Sequence, residues 1–184
     1  MASAKIVVTG PFGAGKTTFI RTISEITVLS TERVISDHTA HLKESTTVAM
    51  DFGRITVDPS LVLYLFGTPG QKRFDFMWEM LAEGMLGFIM MVDRSRSGSI
   101  DEAKSILDAF RGFRPTPAVI AVNKHDPNDP AAEIFAVRQS LLVEENIPVI
   151  CVDAMDRASV KNVVLGLLYS ALEEIDTEET VAIA

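Results

Sequence analysis

Gly10, Pro11, Phe12, Gly13, Ala14, Gly15, Lys16 and Thr17 form an uninterrupted G-x-x-x-x-G-K-[ST] string. The chemistry that such a string supports is the cradling of phosphate. Its glycines let the backbone fold around the oxygens so that successive N–H groups point inward, and the helix that follows adds the positive end of its dipole. Gly10, Phe12, Gly13, Ala14, Gly15, Lys16, Thr17 and Thr18 are therefore expected to surround a nucleotide's phosphates. Lys16 would reach the β and γ phosphates, and Thr17 would offer its hydroxyl oxygen to Mg2+, a hard cation that keeps several waters. A glycine turn that merely caps a helix has no need of all four constrained positions at once.

A phosphate cradle does not choose a base, because ATPases, kinases and GTPases all use one. The base has to be read elsewhere. Asn123, Lys124, His125 and Asp126 follow the apolar run 118–122, at the end of a predicted central strand where the ligand-facing loops of open α/β sheets gather. This string resembles the N-K-x-D motif of small GTPases. An Asp126 carboxylate can accept from two adjacent guanine N–H donors, whereas adenine offers a different edge. Lys124 can lay its aliphatic stem on the purine face. Asp153 and Ala154 look like the serine-alanine pair whose backbone N–H meets the guanine carbonyl in that family, with Asp153 in place of the serine.

Two further strings extend the likeness. The segment from Thr47 to Gly53 is similar to the Rab segment that begins with the switch I threonine, and the segment from Gly67 to Phe74 resembles a switch II motif. Taken together the chain resembles the Ras-like small GTPases over nearly its whole length, and most of all their prokaryotic branch, the MglA-like, conservon-type and Rup-type GTPases. The resemblance implies a switch that binds GTP with Mg2+ and hydrolyses it to GDP. Thr47 would be a second Mg2+ ligand, the Gly70 N–H would meet the γ-phosphate, and Gln71 would orient the attacking water, so that Gln71, Lys16 and Thr47 form the catalytic set. It also implies protein partners, a Roadblock-type regulator or another activator together with an effector.

Some positions depart from that pattern. Gly67 stands where Ras proteins carry an aspartate that holds Mg2+ through a water, and two readings of the neighbouring acid stay open: Asp51 turns inward and replaces it, or Asp51 is an ordinary strand residue. Phe12 adds bulk where an activator's arginine would enter, which implies slow intrinsic hydrolysis. Arg33 and Arg73 are the internal arginines the resemblance offers, each also readable as a solvated charge. His38 and His41 lack the cysteine or carboxylate company of a metal site. The stretch Phe74, Phe76, Met77, Trp78, Met80, Leu81 fits a partner face and a sheet-packing helix equally. A nucleotide-dependent scaffold with negligible turnover is the alternative function. A P-loop kinase would need an arginine-rich lid, which the sequence does not supply.

These residues require elements to carry them. Strand-length apolar runs alternate with helical periodicity, the mark of an α/β protein with a largely parallel, helix-covered sheet. Strands are expected at 5–9, 48–57, 61–66, 86–92, 118–122 and 148–152. Helices are expected at 15–26, 75–83, 100–113, 130–144 and 159–175, and 27–45 reads as a long polar stretch. Asp58, Pro59 and Ser60 join the second and third strands too tightly for anything but an antiparallel hairpin. The expected fold is thus a P-loop NTPase with a six-stranded, mostly parallel sheet, one antiparallel hairpin strand and helices on both faces.

Composition narrows the remaining choices. The 184 residues suit one domain, and 47% hydrophobic with 23% charged residues suits a packed globular protein. A formal net charge of -8 disfavours nucleic acid as a partner, since backbone binding rests on clustered Lys and Arg. The lone Cys151 sits in an apolar run and reads as a small core residue in a reducing, cytoplasmic setting. No apolar segment reaches the ~18 residues of a membrane span. The last eight residues carry no cysteine and the start lacks the glycine for acylation, so a direct lipid anchor is not expected.

Overall fold

The computed structural model describes residues 2–30, 50–70, 75–113 and 115–183. Its elements follow the order β1 (Ala2–Thr9), α1 (Lys16–Ile23), β2 (Leu29–Ser30), β3 (Asp51–Asp58), β4 (Leu61–Gly67), α2 (Phe76–Ala82), β5 (Gly87–Asp93), α3 (Ser99–Phe113), β6 (Ala118–Asn123), α4 (Pro130–Leu141), β7 (Val149–Val152) and α5 (Arg157–Ile183). The strands form one sheet in the order β2-β3-β4-β1-β5-β6-β7. From β4 through β1, β5 and β6 to β7 each neighbouring pair is parallel, and β3 alone runs antiparallel to its neighbours. All six expected strands are present. A two-residue edge strand, β2, adds a seventh inside the stretch that reads as polar, because β3 supplies its partner.

The alternation of strand side chains decides which helix goes where. Val7, Phe88, Met90, Val92, Ile120 and Val122 face one side and pack with Trp78 of α2, Phe110 of α3 and Val137 of α4. Ile6, Val8, Ile89, Met91, Val119 and Ala121, one step out of phase, face the other side and pack with Phe19 and Ile20 of α1 and Val163 and Leu167 of α5. A period of two that is apolar in both phases can only be a strand buried on both faces. Each fully buried Leu, Ile or Phe contributes about 1.5–3 kcal/mol relative to exposure. On α2 the sheet-packing reading holds for Trp78 and Leu81, which are buried, while Phe76 and Met80 face outward and Phe74 lies outside the described residues. Cys151 is only half-buried, at the margin of the core.

Several helix ends differ from expectation for tertiary reasons. α1 stops at Ile23 and not near Ile26, because the Ser24 hydroxyl accepts from Arg54 N and the Glu25 N–H donates to the Arg54 carbonyl, which ties the chain to β3. α4 stops at Leu141, where Leu142 turns left-handed at φ 52°. α5 begins earlier than expected, and the Asp156 carboxylate caps it by accepting from Ser159 N at 2.7 Å. Among the described residues no helix is long and apolar enough to cross a membrane.

Candidate functional site

The parallel strands β1, β5, β6 and β7 all end at one edge of the sheet, and the loops that leave them converge there. Gly10, Gly13 and Gly15 adopt φ values of 138°, 78° and 104°, which side-chain-bearing residues rarely hold. The turn is also tightly enclosed: a Cβ on Gly10 would collide with the Met91 carbonyl, and one on Gly15 would lie 2.5 Å from Asn123 Nδ2. Lys16 is buried and its ammonium donates to the Gly10 and Pro11 carbonyls, each at 2.8 Å. Thr17 is half-buried and Thr18 exposed, while Ala14 is fully buried. Phe12 stands at the lip with 61% of its surface exposed.

Gly70 closes the cradle from the other side. A Cβ there would lie 2.7 Å from Lys16 Nζ and equally close to the Phe12 backbone, so the chain after β4 rests directly on the loop. Beneath it Thr68 Oγ1 donates to Thr9 Oγ1 at 2.9 Å, joining the ends of β4 and β1. Thr47 and Gln71 lie outside the described residues, as do Arg33, Arg73, His38 and His41.

The Asn123 to Asp126 loop is bolted to the cradle by hydrogen bonds. Asn123 Nδ2 donates to the Ala14 carbonyl at 3.0 Å and its Oδ1 accepts from Ala154 N at 3.4 Å, so one buried side chain bridges the phosphate loop and the β7–α5 loop. Lys124, held at φ 53°, donates to the Gly13 carbonyl at 2.9 Å and to Asp93 Oδ2 at 2.8 Å. Asp126 is exposed, and Oδ1 accepts from Asn128 N at 2.9 Å and Nδ2 at 2.7 Å. Those bonds hold its carboxyl below the usual carboxylate range, which leaves an acceptor-only group on the solvent side of the loop. Asp153 is also exposed; its carboxylate accepts from Met155 N and its own N–H donates to Ser159. The Ala154 N–H points to Asn123, not outward, and the Ala154 carbonyl accepts from Thr22 Oγ1.

Two oxygen donors meet beside the cradle. Thr17 Oγ1 donates to Asp51 Oδ2 at 2.5 Å, and Asp51 is buried. An adjacent hydroxyl and carboxylate at the phosphate end of α1 is the donor chemistry that Mg2+ takes from a protein, the remaining positions going to phosphate and water. The residues present therefore fit that ion.

Three residues at this edge escape a reading of the sequence alone. Asp93 ends β5 directly opposite Asn123 in the sheet register and is 2% exposed. Burial pushes its carboxyl up, but the bonds from Lys124 and Ser95 prevail and the net shift is downward. Its place at the end of an apolar run, level with the motif on the next strand, was the available signal. Arg96, in the loop after β5, is clamped by Glu102 through two bonds of 2.8 Å, and its guanidinium approaches the Phe12 carbonyl at 3.5 Å. Those Arg96 bonds hold the Glu102 carboxyl down, and the Lys16 charge adds to them, which reflects how near this pair lies to the cradle. A concavity of about 790 Å³ lies at the opposite edge, against the starts of β5 and β6, and its lining sets Glu144, Glu173 and Glu174 against Arg111, which is paired with Glu144, so its net charge is wrong for phosphate.

A strand, a glycine-rich turn with its lysine and threonine, a helix, and two further strand-end loops tied to that turn define a P-loop nucleotide-binding protein. Over residues 27–174 the chain matches the family model described as a conserved hypothetical ATP binding protein, and it belongs to that family. It is also 31% identical over 125 residues to an uncharacterized protein of Methanocaldococcus jannaschii, an alignment that covers 68% of this chain and 72% of the relative. The expected membership of the Ras-like small GTPases is thereby corrected. The strings that carried the likeness are short, and each answers a chemical demand of phosphate or base that unrelated members of one fold meet in the same way.

Proposed function

We propose that this nucleotide-binding protein is a guanine-nucleotide switch, which binds GTP at the cradle and hydrolyses it slowly to GDP. The observation that carries the base assignment is the Asn123 to Asp126 loop. It is fastened to the phosphate loop at Ala14 and Gly13 and presents the acceptor-only Asp126 carboxylate on its outer side. Guanine offers that carboxylate two neighbouring N–H donors, whereas adenine's edge would set an acceptor against it, and sites built on such pairing reject the wrong partner strongly. Lys16 and the inward backbone N–H groups balance the phosphate charge, and Thr17 supports Mg2+, which neutralises charge that develops on the phosphate oxygens.

For hydrolysis Gln71 is the water-orienting residue and Thr47 the second switch ligand, with Gly70 delivering its N–H from a backbone already resting on the cradle. A protein effector and activator belong to this reading.

The decisive measurement is competition by unlabelled GTP and ATP against fluorescent GDP, together with the identity of the nucleotide that co-purifies. GTP is expected to displace the probe while ATP does not, and Asp126→Ala to weaken GTP by about 10-fold or more. Displacement by ATP alone, matching the family's description, sinks the guanine assignment. Single-turnover hydrolysis with Gln71→Ala as control separates the switch from a scaffold that binds without turnover.

A further inference from the structure

We propose that Asp51 is the carboxylate that holds the nucleotide's Mg2+, moved onto the antiparallel strand β3 from the end of β4, where Gly67 stands. The inference rests on nucleotide binding at the cradle and names the metal ligand of that site. In P-loop NTPases Mg2+ is held by the threonine or serine of the loop and by a strand-end aspartate. Here β4 ends at Gly67 and offers no side chain. β3 runs the other way, so it begins at the edge where β4 finishes, and the register pairs Asp51 with Gly67. Side chains of directly paired residues project from the same face of the sheet.

The space itself shows the exchange. A Cβ built on Gly67 would lie 3.0 Å from Asp51 Cβ, 3.3 Å from Asp51 Oδ2 and 2.9 Å from Ile20 Cδ1. The Asp51 carboxylate thus fills the volume into which a side chain at position 67 would project, and it ends 2.5 Å from Thr17 Oγ1. Gly53, two residues along the same face, would likewise bring a Cβ to 2.6 Å from Ile20 Cγ2. Glycine at 53 and 67 lets α1 settle onto β3 and β4, and that close approach carries Thr17 to Asp51. Among the described residues the buried Asp51 carboxylate faces one hydroxyl, and a divalent cation shared with phosphate would offset its desolvation.

The test uses the full chain loaded with fluorescent GDP and, in parallel, fluorescent ADP, and measures release in excess Mg2+ and in EDTA. With the wild type, Mg2+ is expected to slow release by about 10- to 100-fold. Asp51→Ala and the isosteric Asp51→Asn should release nucleotide in Mg2+ at the rate seen in EDTA, with the EDTA rate itself unchanged. The relocated pair Asp51→Gly with Gly67→Asp should recover part of the Mg2+ effect, which a merely structural role for Asp51 would not. If Asp51→Ala does not fold, Asp51→Asn and the relocated pair give the reading. A full Mg2+ effect retained in Asp51→Asn, or a wild type indifferent to Mg2+ with both probes, overturns the proposal. Retention of ADP and not GDP sinks the guanine assignment alone, because the Mg2+ ratio is then read on ADP.

Discussion

Lys124 does two things that pull on it from different directions. Its backbone sits at φ 53°, a conformation that costs a side-chain-bearing residue of order 1 kcal/mol or more, and its ammonium is fixed between the Gly13 carbonyl and Asp93. The ion pair with the buried Asp93 is what holds the lysine side chain against the phosphate loop. Asp93 has its carboxyl lowered, so its contribution to stability is present above the unfolded carboxyl's ordinary value and is lost as pH falls through the folded one. Wild type and Asp93→Asn should therefore differ in denaturant midpoint at neutral pH and converge only as pH falls through the lowered folded value, where both positions become neutral. A gap that persists undiminished in acid would assign the effect to packing and not to charge. Asp93 was legible in the sequence only as the polar end of an apolar run. Its partner was hidden, because strand register and the left-handed turn at Lys124 bring the two together and neither is written in local spacing. Arg96 was hidden for the same reason, a charged residue in a Ser- and Gly-rich loop that acquires a position only through Glu102.

At the scale of elements, the cradle was readable because an apolar strand, a glycine-rich turn and a helix follow one another without interruption. The hairpin was readable because Asp58, Pro59 and Ser60 leave no room for a crossover. Asp58 completes that turn by accepting from Ser60 N and Oγ, bonds that keep its carboxyl ionised to lower pH. Helix ends were less legible, since the end of α1 depends on β3 and β2 exists only by pairing with β3. Where a local signal does set an end, it can be tested. Asp129 caps α4 by accepting from Ala132 N at 3.0 Å, with Pro130 at the first helical position. Asp129→Ala should lower unfolding free energy by about 1 kcal/mol without altering nucleotide affinity, since α4 contributes nothing to the cradle. An affinity loss in that variant would mean that the Asn123 to Asp126 loop depends on the α4 start for its shape.

Across the whole molecule the sheet separates two apolar layers, and the chemistry lies along one edge of it. Loops from β1, β4, β5, β6 and β7 reach that edge, so a ligand there touches segments far apart in the sequence. Nucleotide binding should accordingly raise global stability by mass action, about 2.7 kcal/mol at a concentration 100 times Kd. A thermal shift smaller than the measured Kd demands would show that binding engages a locally folded part and leaves the rest uncoupled. The family assignment also belongs to this scale. Motifs at one edge describe what a ligand requires, while descent is carried by the rest of the chain, and the two pointed to different families here.

Asn123 gives the site a property beyond affinity. By joining the Ala14 carbonyl to the Ala154 amide it makes the phosphate loop and the loops after β6 and β7 one elastic body, in which ordering either half lowers the entropy cost of ordering the other. Such linkage is reciprocal. On the guanine reading proposed above, guanosine should bind more tightly in the presence of pyrophosphate, pyrophosphate should gain by the same factor from guanosine, and calorimetry on Asn123→Ala should find that coupling weakened, with the Lys124 tie to Gly13 left to carry the remainder.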